Sequence, residues 1–367
     1  MRTVLPVIIL TCFSFTVHGQ GKDTVNNNKE TLWLNIKSIS FIKNNEYFSP
    51  ITEGYTLIGS FVRPVLIYSP SDNFELGIGL HQQIYAGTSE YIKPHLLFSA
   101  NWKLSEKNIL TLGSLDGCDK HRMHDPHFNT ERIYSNFYET GASFVTETSH
   151  LFSDTWINWE NFIFRGDTVR EIFTAGESFN YKISIVRDVI RINFPVQAKI
   201  KHFGGQISNY SGHVVTFLNV SSGLGVDFNI AEGNYGMPGV EYIQFIYREL
   251  TKKGDAVTTR GSASWLRFHY RYKSLYFGSY FWFAHNFFAP DGNQIYGCVS
   301  DYKDKYVIPD RKIWTNSIYF TLKPGGIFEF LIGFEGYYDF NLKKMDTAVA
   351  MHINFDRRIK LKSFYND

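Results

Sequence analysis

The sequence predicts an all-β protein, a transmembrane up-and-down antiparallel β-barrel of about 16 strands, within a range of roughly 14–18. Three observations lead to this fold class. Apolar and polar residues alternate with period two over long stretches, most of these stretches reach ten residues, and short and long connections follow one another along the chain.

The alternation is clearest in three segments. From Ile190 to His202, apolar side chains alternate with Arg191, Lys199, Lys201 and other polar residues, and the same pattern recurs over 91–104 and 347–357. Period two places successive side chains on opposite faces of a strand, whereas a helix would require period 3.6. Segments of this kind are predicted at 32–40, 56–69, 74–85, 91–104, 108–117, 137–147, 150–164, 171–183, 190–202, 214–228, 239–249, 258–272, 273–284, 312–322, 326–338 and 345–358.

The connections indicate how the strands are arranged. Tight turns such as Glu106-Lys107 and Lys273-Ser274 alternate with longer links, of which 117–136 and 285–311 are the longest. Short turns on one side and long loops on the other are typical of outer-membrane barrels. Closure of the ring is required in lipid, because an open sheet edge would leave backbone N–H and C=O groups unpaired.

The amino-acid composition agrees with an outer-membrane location and limits the classes of molecule that the protein is expected to bind. Aromatic residues make up 17% of the 367 residues, only 20% are charged, and the mean hydropathy is −0.21. These averages also fit a large soluble β-protein. The net charge of +2 is too small to favour nucleic acid, so outer-membrane lipid is the expected partner, with a small polar solute as a second one.

The N-terminus is typical of export. Arg2 precedes an apolar run that ends at Val17, and small residues follow, so residues 1–19 are predicted to be a signal peptide. Residues 20–30 are predicted to be a disordered tail, and residues 31–367 a single barrel domain.

A family resemblance rests on this signal, on the aromatic-rich hairpins, on the final strand ending in Phe355 and on the segment WINWENFIFRGDTVREIFTAG at 156–176. Together these features resemble uncharacterised porin-like outer-membrane barrels of Bacteroidota. The resemblance implies location in the outer membrane and implies no activity.

A histidine-rich segment is the first candidate for chemistry. His121, His124 and His127 lie three residues apart, with Asp116, Asp119, Asp125 and Glu131 nearby. Three histidines with carboxylates could bind zinc, but Pro126 places them on a loop, where spacing does not fix geometry. The preferred interpretation is a long outer loop folded into the barrel mouth, with no metal and no cofactor.

An outer-membrane hydrolase is the least favoured of the functions that the sequence allows. His150 lies near Ser153 and His269 near Ser264, but neither pair belongs to a recognisable nucleophile motif. The sequence therefore predicts that the protein is not an enzyme and has no catalytic residues.

The charged residues expected in the barrel lumen indicate more about function than the histidine-rich segment or the Ser/His pairs. Charged side chains on the faces opposite the apolar ones are expected to line the interior, because bare charges facing hydrocarbon would cost about 2–4 kcal/mol each. The predicted pore-lining residues are Arg191, Lys199, Lys201, Arg267, His269, Arg271, Glu329 and Glu335. Two interpretations stay open, a polar channel or an interior plugged by ion pairs.

Three functions follow from these alternatives. The first is a porin-like channel that passes small polar or anionic solutes, the second a closed barrel that binds a partner through its long loops, and the third a hydrolase. Cys118 and Cys298 fall in the two longest outer links. They either form a disulfide that ties a lid across the mouth or remain two isolated buried thiols.

Overall fold

The computed structural model describes residues 29–185, 189–229, 236–251 and 256–364. The predicted signal peptide and nearly all of the predicted tail lie outside these residues. Within them, no helix is both long and apolar enough to cross a membrane.

Sixteen antiparallel strands form one closed barrel, in which each strand pairs with its neighbours in sequence and β1 pairs with β16. The strands are β1 (Thr31–Glu46), β2 (Tyr55–Ser71), β3 (Phe74–Tyr85), β4 (His95–Ser105), β5 (Asn108–Ser114), β6 (Thr140–Glu147), β7 (Leu151–Asn161), β8 (Glu171–Ile185), β9 (Ile190–Gly204), β10 (Val215–Phe228), β11 (Met237–Glu249), β12 (Arg260–Tyr272), β13 (Leu275–His285), β14 (Asp310–Leu322), β15 (Phe328–Asp339) and β16 (Lys344–Ser363). The predicted fold class and strand number are therefore confirmed.

Some strand ends differ from the prediction for identifiable reasons. β4 begins at His95 and not at 91, because Pro94 has no N–H to donate to a neighbouring strand. β1 continues to Glu46, since Phe41, Lys43 and Asn45 extend its buried face past residue 40. β13 and β14 include His285 and Asp310, which the sequence analysis assigned to the loop.

Alternate residues of each strand face lipid or the interior. In β14, Ile313, Thr315 and Ser317 are at most 2% exposed, whereas Trp314 and Ile318 are 39% and 47% exposed. Exposed apolar side chains occur around the whole ring, as expected for a surface that meets hydrocarbon. The inward-facing side chains are buried, so other segments of the chain must fill the interior of the barrel.

Two long loops fill the interior. Residues 115–139 join β5 to β6 and residues 286–309 join β13 to β14, both on the side of the longer connections, which is the extracellular side of outer-membrane barrels. We call these two segments the plug. Arg63 of β2 donates to the Leu115 carbonyl, Asn219 of β10 to that of Phe288, and Trp282 of β13 to that of Tyr296.

The two plug segments also bind each other. The Asn129 N–H donates to the Asp291 carbonyl, and the Asn293 side chain donates to Asp125 at 2.8 Å. A Cβ atom at Gly292 would lie 2.1 Å from the Pro126 carbonyl oxygen, so only glycine permits this close backbone approach. The plug is consequently one packed unit inside the extracellular half of the barrel.

Candidate functional site

The eight residues predicted to line the lumen all lie on inward-facing strand positions. They separate into two groups along the barrel axis. Lys199, Lys201 and Glu335 lie in the extracellular half against the plug. Arg191, Arg267, His269 and Arg271 line a cavity in the periplasmic half, and Glu329 pairs with Lys323 near the periplasmic end of β15. That they line a solute path stays a prediction.

The two lysines of the extracellular group bind carboxylates of the plug and of β7. The Lys199 and Lys201 ammonium groups each lie 3.0 Å from an Asp291 carboxylate oxygen, and Lys201 also lies 2.6 Å from Glu160. Arg132 of the plug is 3.6 Å from the same aspartate. Burial alone would raise the pKa of Asp291, but these three cations hold it well below its usual range. This network fastens the plug to the barrel wall.

The histidine-rich segment is part of the plug, and its three histidines have different surroundings. His121 is hydrogen-bonded to Asp154 at 2.8 Å and Glu139 at 2.7 Å, and its ring stacks on Trp156 at 3.9 Å. Burial lowers the pKa of His121, but the two carboxylates raise it to about 9. His124 and His127 contact Phe245 instead, and burial lowers the pKa of His124 to about 4. Among the described residues, no cluster of His, Cys, Asp and Glu is arranged to hold a metal.

The two mature cysteines are not bridged. Cys118 and Cys298 are free and buried, in different hydrophobic clusters of the plug. Burial raises the pKa of both thiols, that of Cys298 to about 11. The plug is held by packing and ion pairs, without a disulfide lid.

A cavity of about 310 Å³ separates the plug from β1 and β14–β16. The Lys43 ammonium bridges Glu131 at 2.9 Å and Glu335 at 3.5 Å beside it, and the Tyr55 hydroxyl donates to Glu131. Lys43 thus pairs with two carboxylates of this cavity, and the Tyr134 hydroxyl lies 3.1 Å from His352 Nδ1. No serine or cysteine is found among the described residues that line it.

A second arrangement lies on the outer face at the extracellular rim. Ser262 of β12 is directly opposite His285 of β13, which is directly opposite Asp310 of β14. All three side chains are exposed, because their neighbours Ala263, Ala284 and Arg311 take the buried positions. Opposed residues on adjacent strands have Cβ atoms about 4.5–5.5 Å apart. The register therefore brings a hydroxyl, an imidazole and a carboxylate into one row.

Hydrogen bonds define the tautomer of His285. Its Nδ1 lies 2.8 Å from Asp310 Oδ1, so Nδ1 donates to the carboxylate, and the Asn286 amide donates to Nε2 at 3.1 Å. This arrangement leaves the lone pair on Nε2, which accepts the hydrogen bond from Asn286. An imidazole oriented in this way is equipped to act as a general base.

Two adjoining grooves surround this row. One has a volume of about 970 Å³ and includes Arg248, Arg260 and Ile246, and the other has about 490 Å³ and includes Phe283 and Lys312. Ser262 and His285 line both grooves. Arg248 and Arg260 are directly opposite each other, and neither has a salt-bridge partner among the described residues. The site thus combines cations with apolar side chains.

The sequence analysis missed all three residues of the row. Ser262 was inside a predicted strand, but His285 and Asp310 were assigned to the 285–311 link. The available signal was the period-two pattern of β13, in which Phe281, Phe283 and His285 share one face. Extension of this pattern by one position would have placed His285 on the outer surface.

Solved structures similar to this chain are outer-membrane barrels. OprD of Pseudomonas aeruginosa matches with a TM-score of 0.52 and 9% identity, over 93% of this chain and 97% of that one. A loop-deletion mutant of OmpT from Vibrio cholerae and OccAB3 of Acinetobacter baumannii both match with a TM-score of 0.51 and 10% identity, each over 89% of this chain and 99% of theirs. At these identities the likeness shows the fold alone, and it confirms a porin-like barrel located in the outer membrane. The narrower grouping with Bacteroidota barrels stays a prediction.

No curated protein matches the sequence. The model of a family described as lipid A 3'-O-deacylase-type matches residues 24–364. A family named for an enzymatic activity contradicts the expectation that the protein is not an enzyme, which rested on the lack of a contiguous nucleophile motif. Since the match spans nearly the whole chain, the protein belongs to the lipid A 3'-O-deacylase-type family.

Proposed function

We propose that the protein is an outer-membrane esterase that removes an acyl chain from an anionic glycolipid of the outer leaflet. The observation that carries this proposal is the row formed by Ser262, His285 and Asp310 on the lipid-facing rim. The family description, lipid A 3'-O-deacylase-type, supports the same class of substrate. Acylated glycolipids present their ester groups at this boundary between hydrocarbon and headgroups.

The chemistry follows from the tautomer of His285. Ser262 replaces Asn286 as the donor to Nε2, and its proton passes to the imidazole as its oxygen bonds to the ester carbonyl carbon. The imidazolium, stabilised by Asp310, then gives this proton to the departing alkoxide oxygen as the carbon–oxygen bond breaks. A water molecule then gives a proton to His285 as its oxygen bonds to the acyl carbon. The imidazolium returns this proton to the Ser262 oxygen as the acyl–serine bond breaks, so the fatty acid leaves and Ser262 is restored. The released Asn286 amide is a suitable donor for the negative oxygen of each tetrahedral intermediate.

The surroundings of the row suit an anionic lipid. Arg248 and Arg260 are like charges in directly opposed positions, an arrangement that destabilises a sheet unless an anion lies between them. A phosphate in the headgroup would bind both guanidinium groups, with Lys312 available on the other side of His285. Ile246 and Phe283 are 56% and 49% exposed and offer contact to acyl chains.

The test is lipid analysis of cells that produce the full chain. Outer-membrane glycolipids extracted from these cells are expected to lose the mass of one acyl chain, as measured by mass spectrometry. Ser262→Ala and His285→Gln are each expected to reduce deacylation on the order of 100-fold or more, because each removes a group that reacts. Asp310→Asn should reduce it less severely.

The matched control is Ser279→Ala. Ser279 faces outward on β13, accepts a hydrogen bond from Trp314 at 3.0 Å and lines neither groove. This variant should retain activity, and heat-modifiable gel migration should show that every variant forms a barrel. Full activity in Ser262→Ala and His285→Gln would refute the assignment. Loss of activity in Glu131→Gln alone would place the chemistry in the lumen cavity instead.

Passage of small polar or anionic solutes is the narrower form of the porin-like prediction. It would require movement of the plug, since Lys199, Asp291 and Tyr296 are at most 8% exposed in the extracellular half. We therefore expect the intact protein to show closed-state behaviour in planar bilayers, and steady conductance of the wild-type barrel would contradict this.

A further inference from the structure

The periplasmic half of the lumen contains a cavity that the proposed esterase does not use. Its volume is about 280 Å³, and its lining comes from inward positions of β8–β13. Arg271 lies just before the Lys273–Ser274 turn, and Arg191 follows the first residue of β9, so the cavity lies at the periplasmic mouth. We call this cavity the vestibule.

The vestibule has more cations than its carboxylates can neutralise. Arg267 binds Glu241 at 2.6 Å, and His269 binds Asp227 at 2.8 Å. These two carboxylates are therefore already engaged. Lys182, Arg191 and Arg271 line the same cavity, and none of the three has a carboxylate within 4.0 Å among the described residues.

The inner end of the vestibule is closed. The Arg267 guanidinium lies 4.4 Å from the centroid of the Trp265 ring and 5.1 Å from that of Tyr280, and both rings are buried. Beyond them the plug begins, because Trp265 also packs against Tyr296 of the loop 286–309. A molecule in the vestibule would have to enter and leave through the periplasmic mouth.

Direct ion pairs do not account for the three remaining cations. Asp227 is directly opposite Arg191, but its carboxylate is bound to His269. In the extracellular half, Asp291 of the plug and Glu160 of β7 together supply two carboxylates to Lys199 and Lys201. In the vestibule, the described loops supply no carboxylate to Lys182, Arg191 or Arg271. Cations that converge on a concave polar surface without counter-ions attract anions strongly, because the low-dielectric walls concentrate their field.

We propose that the vestibule binds a small soluble oxyanion of the periplasm, one that carries two or more phosphate or carboxylate groups. Arginine guanidinium groups bind either of these groups through paired hydrogen bonds, and Lys182 adds a third positive contact. The volume lies near the lower end of the range of small-molecule sites, about 300–1,000 Å³, and so limits the occupant to a compact molecule. This site is independent of the esterase row at the opposite rim.

The test is isothermal titration of the full-length barrel in neutral detergent. Pyrophosphate and citrate are the probes for the two oxyanion chemistries, and trehalose is the uncharged control. We expect at least one anion to bind, no binding of trehalose, and an affinity that falls several-fold between low and high salt. The tighter of the two anions identifies the chemistry that the site prefers.

Three variants show whether these cations form the site. Arg191→Gln and Arg271→Gln are each expected to weaken binding at least tenfold, and the triple variant with Lys182→Gln should abolish it. Lys107→Gln removes an exposed charge from a periplasmic turn outside the lumen and should leave binding unchanged. Wild-type affinity in the triple variant, or no binding of either anion to the wild type at millimolar concentration, would overturn the proposal.

Discussion

The two halves of the lumen use the same residue types in opposite ways, and a single strand shows the contrast. Lys199 and Lys201 of β9 are buried and bound to Asp291, whereas Arg191 of the same strand lines the vestibule and forms no ion pair among the described residues, because the opposed Asp227 is bound to His269. All three occupy inward positions of one continuous alternation. The strand determines which way a charge points, and the loops determine whether it is neutralised.

This difference has an energetic basis. A buried cation is tolerated only when hydrogen bonds and opposite charges replace its lost hydration. In the extracellular half, the Asp291 carboxylate takes the place of this hydration for Lys199, Lys201 and Arg132. The Glu131 carboxylate does the same for Lys43. Charges near the periplasmic mouth keep contact with water and need no such partner. The extracellular half should therefore be sensitive to loss of one charge, and the periplasmic half tolerant of it.

Asp291→Ala is expected to have the largest effect. It leaves Lys199, Lys201 and Arg132 buried without their shared carboxylate, and removal of one partner of a buried ion pair costs about 3–5 kcal/mol. The midpoint of thermal unfolding in detergent should fall sharply, and the plug should loosen. Asp304→Ala is the control, because Asp304 is exposed in the same loop. Equal midpoints for the two variants would show that the network does not hold the plug.

His121 gives a pH-dependent version of the same test. Its pKa is raised from 6.5 to about 9 in the folded protein, so its charge stabilises the fold fully below about pH 6.5. This contribution is lost as the pH rises toward 9 and amounts to something on the order of 3 kcal/mol. The wild type should therefore unfold at a lower temperature at pH 10 than at pH 6.

The control is His121→Gln, which keeps a polar side chain between Asp154 and Glu139 without a titrating charge. Its unfolding temperature should be lower than that of the wild type at pH 6 and should change less between the two pH values. An identical pH dependence in both proteins would show that another group is responsible.

The parts of this structure that follow from local sequence pattern were predictable. Period two gave the inward orientation of Lys199 and Arg191 alike, and the alternation of short and long links gave the closed topology. The counter-charges were not predictable, because Asp291 reaches Lys199 only after a loop 92 residues away folds into the lumen. Local pattern contains no information on the path of such a loop.

The row on the outer rim was hidden for a related reason. Ser262, His285 and Asp310 lie on three different strands, and only the register of β12, β13 and β14 makes them neighbours. A shift of one residue in any of these strands would turn a side chain of the row toward the interior. A contiguous motif therefore does not exist, and its absence was wrongly taken as a sign that the protein is not an enzyme.

The smallest effect is expected in the periplasmic half, where Arg191→Gln can be compared with Lys199→Gln on the same strand. Arg191 is opposite Asp227 but forms no ion pair within 4.0 Å among the described residues, so its loss should change the free energy of unfolding by no more than about 0.5 kcal/mol. Lys199→Gln removes a buried partner of Asp291 and should cost several times as much, even though Lys201 and Arg132 remain. Thermal unfolding of both variants at low salt measures the difference directly. A loss for Arg191→Gln as large as that for Lys199→Gln would mean that the vestibule charges are structural after all, and the distinction between the two halves would no longer hold.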